Sequence, residues 1–122
     1  MPQRPYIVLD DTALLAFGKG NPLLARLVMN REAEAVFAPV LAIHAAGQER
    51  PAVVSYVGAF PMEFPPLSYA ALVSCWDRSL PPGAAHAVVC AAEIMGHDVF
   101  IASTEPGRYA GTGIAVVDLN DG

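Results

Sequence analysis

The sequence is poor in charged residues. Asp, Glu, Lys and Arg make up 16% of its 122 residues, whereas 54% are apolar; a globular domain usually has about a quarter of its residues charged. This composition excludes an intrinsically disordered chain. Because so little polar material is available to cover the surface, we expect an apolar face that binds a second copy or another protein.

Long apolar runs are also missing. Pro, Gly or a charged residue interrupts each apolar stretch well before the roughly 20 residues that a membrane span needs, so we expect no membrane association. The first residues lack the apolar segment and cleavage site of a secretory signal. We therefore expect a cytoplasmic protein that forms a single domain over residues 1–122.

Basic residues are few and scattered. Seven Lys and Arg stand against twelve Asp and Glu, for a net charge of −5. This balance excludes strong non-specific binding to nucleic acid, which needs a basic stripe along the phosphate backbone. A local patch from Lys19, Arg26 and Arg31 leaves weak RNA binding open.

Cysteine is nearly absent. Cys75 and Cys90 both lie in segments with a helical pattern. Two buried, reduced thiols are expected there rather than a disulfide, as is typical of a reducing compartment.

Short apolar strands alternate with helices along the chain. This alternation predicts an α/β fold, a three-layer α/β/α sandwich around a parallel sheet of four to five short strands. The segment 52–60 has strand-like composition, but its apolar spacing favours a helix. The predicted strands are 6–10, 35–38, 62–64, 99–102 and 114–119, and the predicted helices are 12–17, 22–32, 39–47, 52–60, 68–79 and 83–95.

The first strand ends on two acids. Asp10 and Asp11 follow an apolar run, and Thr12 is placed to cap the helix that follows. Ligands of open α/β sheets bind at the carboxyl ends of strands. Two neighbouring carboxylates repel each other unless a cation, water or a helix N-terminus relieves them, so this edge is a candidate site.

Three stretches together resemble the PIN domain family, small α/β/α nucleases that include the toxins of bacterial toxin–antitoxin pairs. They are Leu9-Asp10-Asp11-Thr12-Ala13-Leu14, then Ala38-Pro39-Val40-Leu41-Ala42-Ile43-His44-Ala45, and finally the helix from Ala84 to Ala92 with the strand and loop from Val99 to Tyr109. The order and spacing of these stretches, rather than any single motif, carry the resemblance, which covers nearly the whole chain.

The resemblance implies an acidic metal site. Members of the family gather three or four carboxylates that hold Mg²⁺ or Mn²⁺ and activate water for attack on RNA. Asp10 and Glu105 match two of the acids and are the candidate catalytic and metal-binding residues. The residues expected to support them are Asp11, Thr12, Ser103 and Thr104.

Two of the family's acid positions are lost. They fall at Ala45 and Gly83, and the missing side chain of Gly83 is expected to leave space for a ligand. Glu49 lies one helical turn beyond Ala45 and reaches the site if its helix continues past Gly47. His44 and His86 lie close to the lost positions. Each is either a structural histidine bonded to the backbone or, with Asp10, a ligand of Zn²⁺ or Mn²⁺.

Three functions follow as hypotheses. The first is a degenerate PIN-like domain that has no catalytic activity and needs no cofactor. It binds a second copy of itself as a homodimer, a protein such as an antitoxin, or RNA weakly. It implies that Asp10→Ala leaves folding intact. The alternative is a Mg²⁺- or Mn²⁺-dependent endonuclease for single-stranded RNA, of toxin–antitoxin type. The third is an unrelated α/β regulatory domain, in which the site positions do not meet at one sheet edge.

Overall fold

The computed structural model describes residues 4–76, 78–94 and 98–121. Within these ranges the chain forms a four-stranded, all-parallel sheet and six α-helices, which confirms the predicted α/β class. In the same part of the chain, no helix is both long and apolar enough to cross a membrane. The elements in chain order are β1 (Tyr6–Leu9), α1 (Asp11–Gly18), α2 (Pro22–Val28), β2 (Ala35–Phe37), α3 (Val40–Glu49), α4 (Ala52–Val57), α5 (Tyr69–Trp76), α6 (Pro82–Glu93), β3 (Val99–Ser103) and β4 (Ala115–Asp118).

The strands lie in the order β2-β1-β3-β4. Leu9 at the end of β1 is opposite Ala102, and Ser103 at the end of β3 is opposite Asp118. From β1 the chain moves outward to β2 and then returns past β1 to β3, so the direction of winding reverses between β1 and β3. The carboxyl ends of β1 and β3 therefore form a topological switch point, which is where open α/β sheets bind ligands.

Apolar clusters pack against both faces of the sheet. Ile7 and Leu9 belong to one cluster with buried residues of α1 to α4. Val8 and Ile101 belong to another with buried residues of α6. This division follows from the alternation of side chains along a strand. Helix α6 buries each residue from Gly83 to Ala91, most of which are small and apolar.

Several predicted boundaries are corrected. Helix α2 ends at Val28 rather than at 32, because Arg31 adopts a left-handed backbone with φ of 55°. The helical prediction for 52–60 is confirmed in type but ends at Val57, and α3 continues past 47 to Glu49. Helix α5 ends at Trp76, with 78 and 79 outside it, and α6 ends at Glu93 rather than at 95, because its C-cap Ile94 has an extended backbone; residues 77 and 95 themselves lie outside the described residues.

The strand predicted over 62–64 is wrong. It is reduced to a single bridge in which Glu63 pairs with Phe37 at the edge of β2. Pro61 precedes this segment and Pro65 and Pro66 follow it. Since proline has no backbone N–H, it cannot extend the ladder on either side of the bridge.

Both cysteines are buried and free, as the sequence predicted. Burial raises the pKa of the Cys75 thiol, and it raises that of Cys90 to about 12 with the help of Glu93 and Glu63. A thiol with a raised pKa is a poor nucleophile. The two cysteines therefore serve as small packing residues.

His86 is a structural residue of the core. Its Nδ1 accepts a hydrogen bond from the Leu41 backbone N–H at 3.3 Å, which places the ring proton on Nε2. Burial lowers the pKa of His86, against weaker opposing effects of Glu93 and a hydrogen bond with the Pro66 backbone. A protonated ring would turn Nδ1 into a donor facing the Leu41 donor, so the folded chain favours the neutral ring.

We predict that stability decreases as the pH falls below about 6.5, the ordinary pKa of histidine in an unfolded chain. There the unfolded chain takes up a proton that folded His86 resists, which costs at most about 1.4 kcal/mol per pH unit. Urea unfolding of wild type and His86→Asn between about pH 7.5 and pH 5.5 tests this, because the Asn oxygen replaces Nδ1 without titrating. The matched control is Ser55→Asn at an exposed position of α4, which changes no titrating group and should keep the wild-type slope. Equal slopes for wild type and His86→Asn would contradict the prediction.

Candidate functional site

The switch point gathers the polar residues that follow β1 and β3. Asp10, Asp11 and Thr12 begin helix α1 directly after β1, while Thr104 and Glu105 follow β3. A short 3₁₀ turn, Pro106–Tyr109, then folds back over the ends of both strands. The site is therefore built from two chain segments that are about a hundred residues apart and are held together by strand pairing.

Asp10 is fully buried, with 0% of its surface exposed, and is the N-cap of α1. Its Oδ1 accepts the backbone N–H of Ala13 at 2.8 Å and the hydroxyl of Thr12 at 2.6 Å. The predicted cap at Thr12 is therefore wrong. Asp10 has the extended backbone of a capping residue, whereas Thr12 already lies inside the helix.

Hydroxyl groups link the two strand ends. Since Thr12 donates its proton to Asp10, the 3.1 Å contact between Thr12 Oγ1 and Ser103 Oγ is a hydrogen bond donated by Ser103. Thr12 Oγ1 also accepts the backbone N–H of Thr104 at 3.0 Å, and Ser103 Oγ accepts that of Glu105 at 2.9 Å. Thr12 and Ser103 thus fix the loop after β3 against the start of α1.

Arg108 contacts all three acids of the site. Its Nη1 lies 2.7 Å from Asp11 Oδ1 and 3.5 Å from Asp10 Oδ2, and its Nη2 lies 2.7 Å from Glu105 Oε2. Burial alone would lower the pKa of Arg108, but the hydrogen bond to Asp11 and the charges of Asp11, Asp10 and Glu105 raise it above its usual value. The guanidinium is therefore a permanent cation among the three carboxylates.

Tyr109 completes the surroundings of Asp10. Its hydroxyl donates to Asp10 Oδ2 at 2.6 Å, and the ring is buried in the α6 cluster. Burial and the negative charge of Asp10 raise the pKa of Tyr109, so the phenol remains protonated. Asp10 thus accepts hydrogen bonds from a backbone amide, two hydroxyls and a guanidinium, and its charge is compensated by protein groups.

Ala45 and Gly83 meet beside Asp11. A Cβ atom built on Gly83 would lie 3.2 Å from Ala42 Cα, 3.3 Å from Asp11 Cβ and 3.4 Å from Ala45 Cβ. The expectation that Gly83 leaves space for a ligand is therefore wrong. Helices α3 and α6 fill that space by approaching closely through small residues.

The two histidines differ in burial and in hydrogen-bond partners. His44 is exposed, and its Nε2 forms a hydrogen bond with Gln48 Nε2 at 3.2 Å. His86 is buried, and its Nδ1 accepts the backbone N–H of Leu41. His86 is therefore a structural histidine bonded to the backbone. In the described part of the chain, neither histidine forms a hydrogen bond with Asp10. Among the described residues, no group of three or more His, Cys, Asp or Glu side chains is arranged to hold a metal ion.

Glu49 does reach the site region. Because α3 continues to Glu49, this residue lines a cleft of about 480 Å³ together with Asp11, Thr12, Glu105 and Arg108. Lys19 lines the same cleft, whereas Arg31 lines another, and Arg26 pairs with Glu32 at 3.8 Å. Lys19, Arg26 and Arg31 thus have different neighbours, and the two clefts and the ion pair give no support to a shared basic patch.

Sequence reasoning missed the central role of Arg108. It was one of seven scattered basic residues, and Tyr109 was only part of a matching loop. The available signal was spacing: Arg108 follows Glu105 by three residues, across a proline that favours a tight turn, and such pairs lie side by side on one turn of helix.

Comparisons with protein-family models, with curated proteins and with solved structures found no match. Inference about function therefore depends on the fold and on the arrangement of side chains at the switch point.

We predict that Asp10→Ala destabilises the protein by about 2–4 kcal/mol, because it removes a helix cap and leaves the Tyr109 hydroxyl without its acceptor in the core. This reverses the expectation that the variant folds normally. Urea unfolding is the measurement, and the exposed Asp98→Ala is the control, with a change within about 0.5 kcal/mol. A loss for Asp10→Ala as small as that of the control would contradict the structural role.

Proposed function

We propose that this chain is a PIN-like domain whose switch-point acids are held by Arg108 instead of a metal ion, and that it acts by binding rather than by cutting RNA. The helices packed on both sheet faces support the three-layer α/β/α architecture of such a domain. The meeting of Asp11 and Gly83 near one sheet edge supports a PIN-like site over an unrelated α/β domain. The two free thiols fit a reducing compartment.

The three contacts of Arg108 carry this proposal. A divalent ion at this edge would have to displace a guanidinium that bonds to Asp11 and Glu105 at 2.7 Å each. Mg²⁺ demands nearly octahedral oxygen ligands at about 2.1 Å and loses its water reluctantly. With Asp10 already bonded to protein donors and with Ala45 and Gly83 supplying no carboxylate, the residues present do not fit Mg²⁺ or Mn²⁺.

The partner in this proposal is a protein. The net charge of −5 and the divided basic residues favour a protein over RNA, which would bind weakly. A second copy of the chain, as a homodimer, or a small protein of antitoxin type are the two partners that the PIN-like proposal includes.

A metal-dependent endonuclease for single-stranded RNA is the second candidate. One observation favours it: Glu49, Asp11 and Glu105 line the same cleft beside Lys19. If Arg108 turned away, Glu49 would be the replacement for the acid lost at Ala45. Mg²⁺ or Mn²⁺ would then be the cofactor.

We predict that Arg108→Met creates a binding site for Mn²⁺ that the wild type lacks. Removing the guanidinium leaves Asp11 and Glu105 without the cation that contacts each of them at 2.7 Å, so both carboxylates become free to turn towards one divalent ion, an arrangement that the described residues of the wild type do not show. Calorimetric titration of Mn²⁺ should detect no binding to wild type below millimolar concentration and at least about tenfold tighter binding to Arg108→Met. Arg50→Met, at an exposed arginine on the end of α3, is the matched control and should behave like wild type.

If the wild type binds Mn²⁺ tightly, the nuclease becomes the favoured function and the binding role becomes the second candidate. Micromolar binding of Mn²⁺ to wild type that is lost in Glu105→Gln would indicate a working metal centre and favour the nuclease. Glu105→Gln is the better probe than Asp10→Ala, because Glu105 is 57% exposed and lies outside the core.

We also predict that the wild type does not cleave single-stranded RNA in the presence of Mg²⁺ or Mn²⁺ and that its expression does not inhibit bacterial growth. The reason is that Ala45 and Gly83 supply no carboxylate to a metal site. The Arg108→Met variant should not cleave RNA either, because it adds no carboxylate. Gel assays on a labelled RNA, with Glu105→Gln as the control for a contaminating nuclease, make the test. Cleavage by wild type that disappears in Glu105→Gln would refute the binding role.

A further inference from the structure

Helix α5 exposes its large residues and buries its small ones. Ala71 and Cys75 face the protein and pack with Ala85 and Val89 of α6. The opposite side carries four large apolar residues with the spacing of one helix face: Tyr69, Leu72, Val73 and Trp76. An ordinary surface helix of a globular protein has the reverse arrangement, with the large apolar residues inside.

The four residues, called the α5 stripe below, form an exposed apolar patch. Tyr69 is 82% exposed and Trp76 is 85% exposed, while Leu72 and Val73 are close to half exposed. Since an aromatic side chain contributes about 150–250 Å², the stripe presents on the order of 500 Å². An apolar patch of this size on a monomer marks an interaction site.

A groove lies directly beside the stripe. It has a volume of about 360 Å³, and its mostly apolar lining includes Leu41, Leu67, Leu80 and Pro82 together with Leu72 and Trp76 of the stripe, while Arg78 adds a positive charge. One continuous surface therefore carries both protruding aromatic side chains and a cavity that accepts an aromatic side chain. In a two-fold dimer, each surface meets its own copy, so a residue of one protomer contacts the groove of the other and the reverse.

We propose that the α5 stripe and its groove form the interface of a homodimer, in which the aromatic side chains of each protomer enter the groove of the other. Two stripes would bury on the order of 1,000 Å², about the lower limit for a specific interface, and the groove walls add to this area. The proposal deepens the binding role above by naming the partner. It uses no residue of the switch point, so its failure would leave the role of Arg108 untouched.

Trp76 is the only tryptophan of the sequence and reports directly on this interface. Sedimentation of the full chain over a concentration series should show a dimer that dissociates on dilution. Over the same series the fluorescence of Trp76 should move to shorter wavelength, and its quenching by acrylamide should fall severalfold, as the dimer forms. A wild-type chain that stays monomeric with an accessible Trp76 would overturn the proposal and leave the stripe to a different protein. A dimer in which Trp76 remains fully accessible would place the interface elsewhere and overturn it as well.

The variant Tyr69→Ser/Trp76→Ser tests the same surface by mutation. Both side chains point to solvent in the single chain, so the variant should fold with unchanged urea stability when monomeric and should lose dimerisation. Val54→Ser, at a half-exposed valine on α4, is the matched control and should still dimerise. A double variant that dimerises as strongly as wild type would refute the interface. Should the double variant unfold, the wavelength shift and quenching of wild-type Trp76 decide the question alone.

Discussion

The buried carboxylate of Asp10 joins two parts of the chain that are distant in sequence. It caps α1 through Ala13, and it accepts the hydroxyl of Tyr109 from the turn after β3. A buried charge is costly unless it is paired and fully hydrogen-bonded, so the turn has to supply both a donor and a cation. Tyr109 and Arg108 meet this requirement together, because they are neighbours in one 3₁₀ turn. The conformation of the loop after β3 is thus set by the charge at the end of β1.

In the proposed PIN-like domain, the small residues at positions 45 and 83 account both for the missing acids and for the close packing of α3 on α6. Gly83 allows α6 to approach Ala42 and Ala45 of α3 so closely that a Cβ at position 83 would lie 3.2 Å from a backbone atom. An aspartate there would need both space and a cation to balance its charge. With Ala45 and Gly83 at these positions, neither the extra space nor the cation is needed, and α3 and α6 pack directly against each other. In the proposed PIN-like domain, the site therefore contributes to stability at the positions where it has lost its chemistry.

The sequence predicted the features that depend on local pattern. Apolar runs located β1, β2, β3 and β4, and the alternation with helices led to the parallel sheet and to its carboxyl edge as the site. It could not predict how side chains meet across that edge. Arg108 is linked to Asp11 by strand order and not by spacing, and the N-cap moved from Thr12 to Asp10 because the strand ends one residue earlier than predicted.

At two places the sequence pattern also could not predict which side chains are buried. Gly83 could be seen as a missing side chain, but whether the space stayed open depended on the distance between α3 and α6. The apolar residues of α5 have helical spacing whichever side faces inward. Only the packing of Ala71 and Cys75 on α6 shows that the stripe with Trp76 points outward. Both cases concern the relative placement of helices, which the sequence of a single helix does not encode.

An arginine can replace the charge of a metal ion but not its chemistry. The guanidinium of Arg108 neutralises Asp11 and Glu105 and fixes their geometry through directed hydrogen bonds. A bound divalent ion would in addition keep an open coordination position, polarise a phosphate oxygen and lower the pKa of a water molecule towards neutrality. Arg108 has no such position, and its raised pKa prevents it from acting as a base. In the proposed function, the same contacts that stabilise this edge of the sheet therefore leave no open coordination position for hydrolysis, which is why we propose binding surfaces as the active part of the chain.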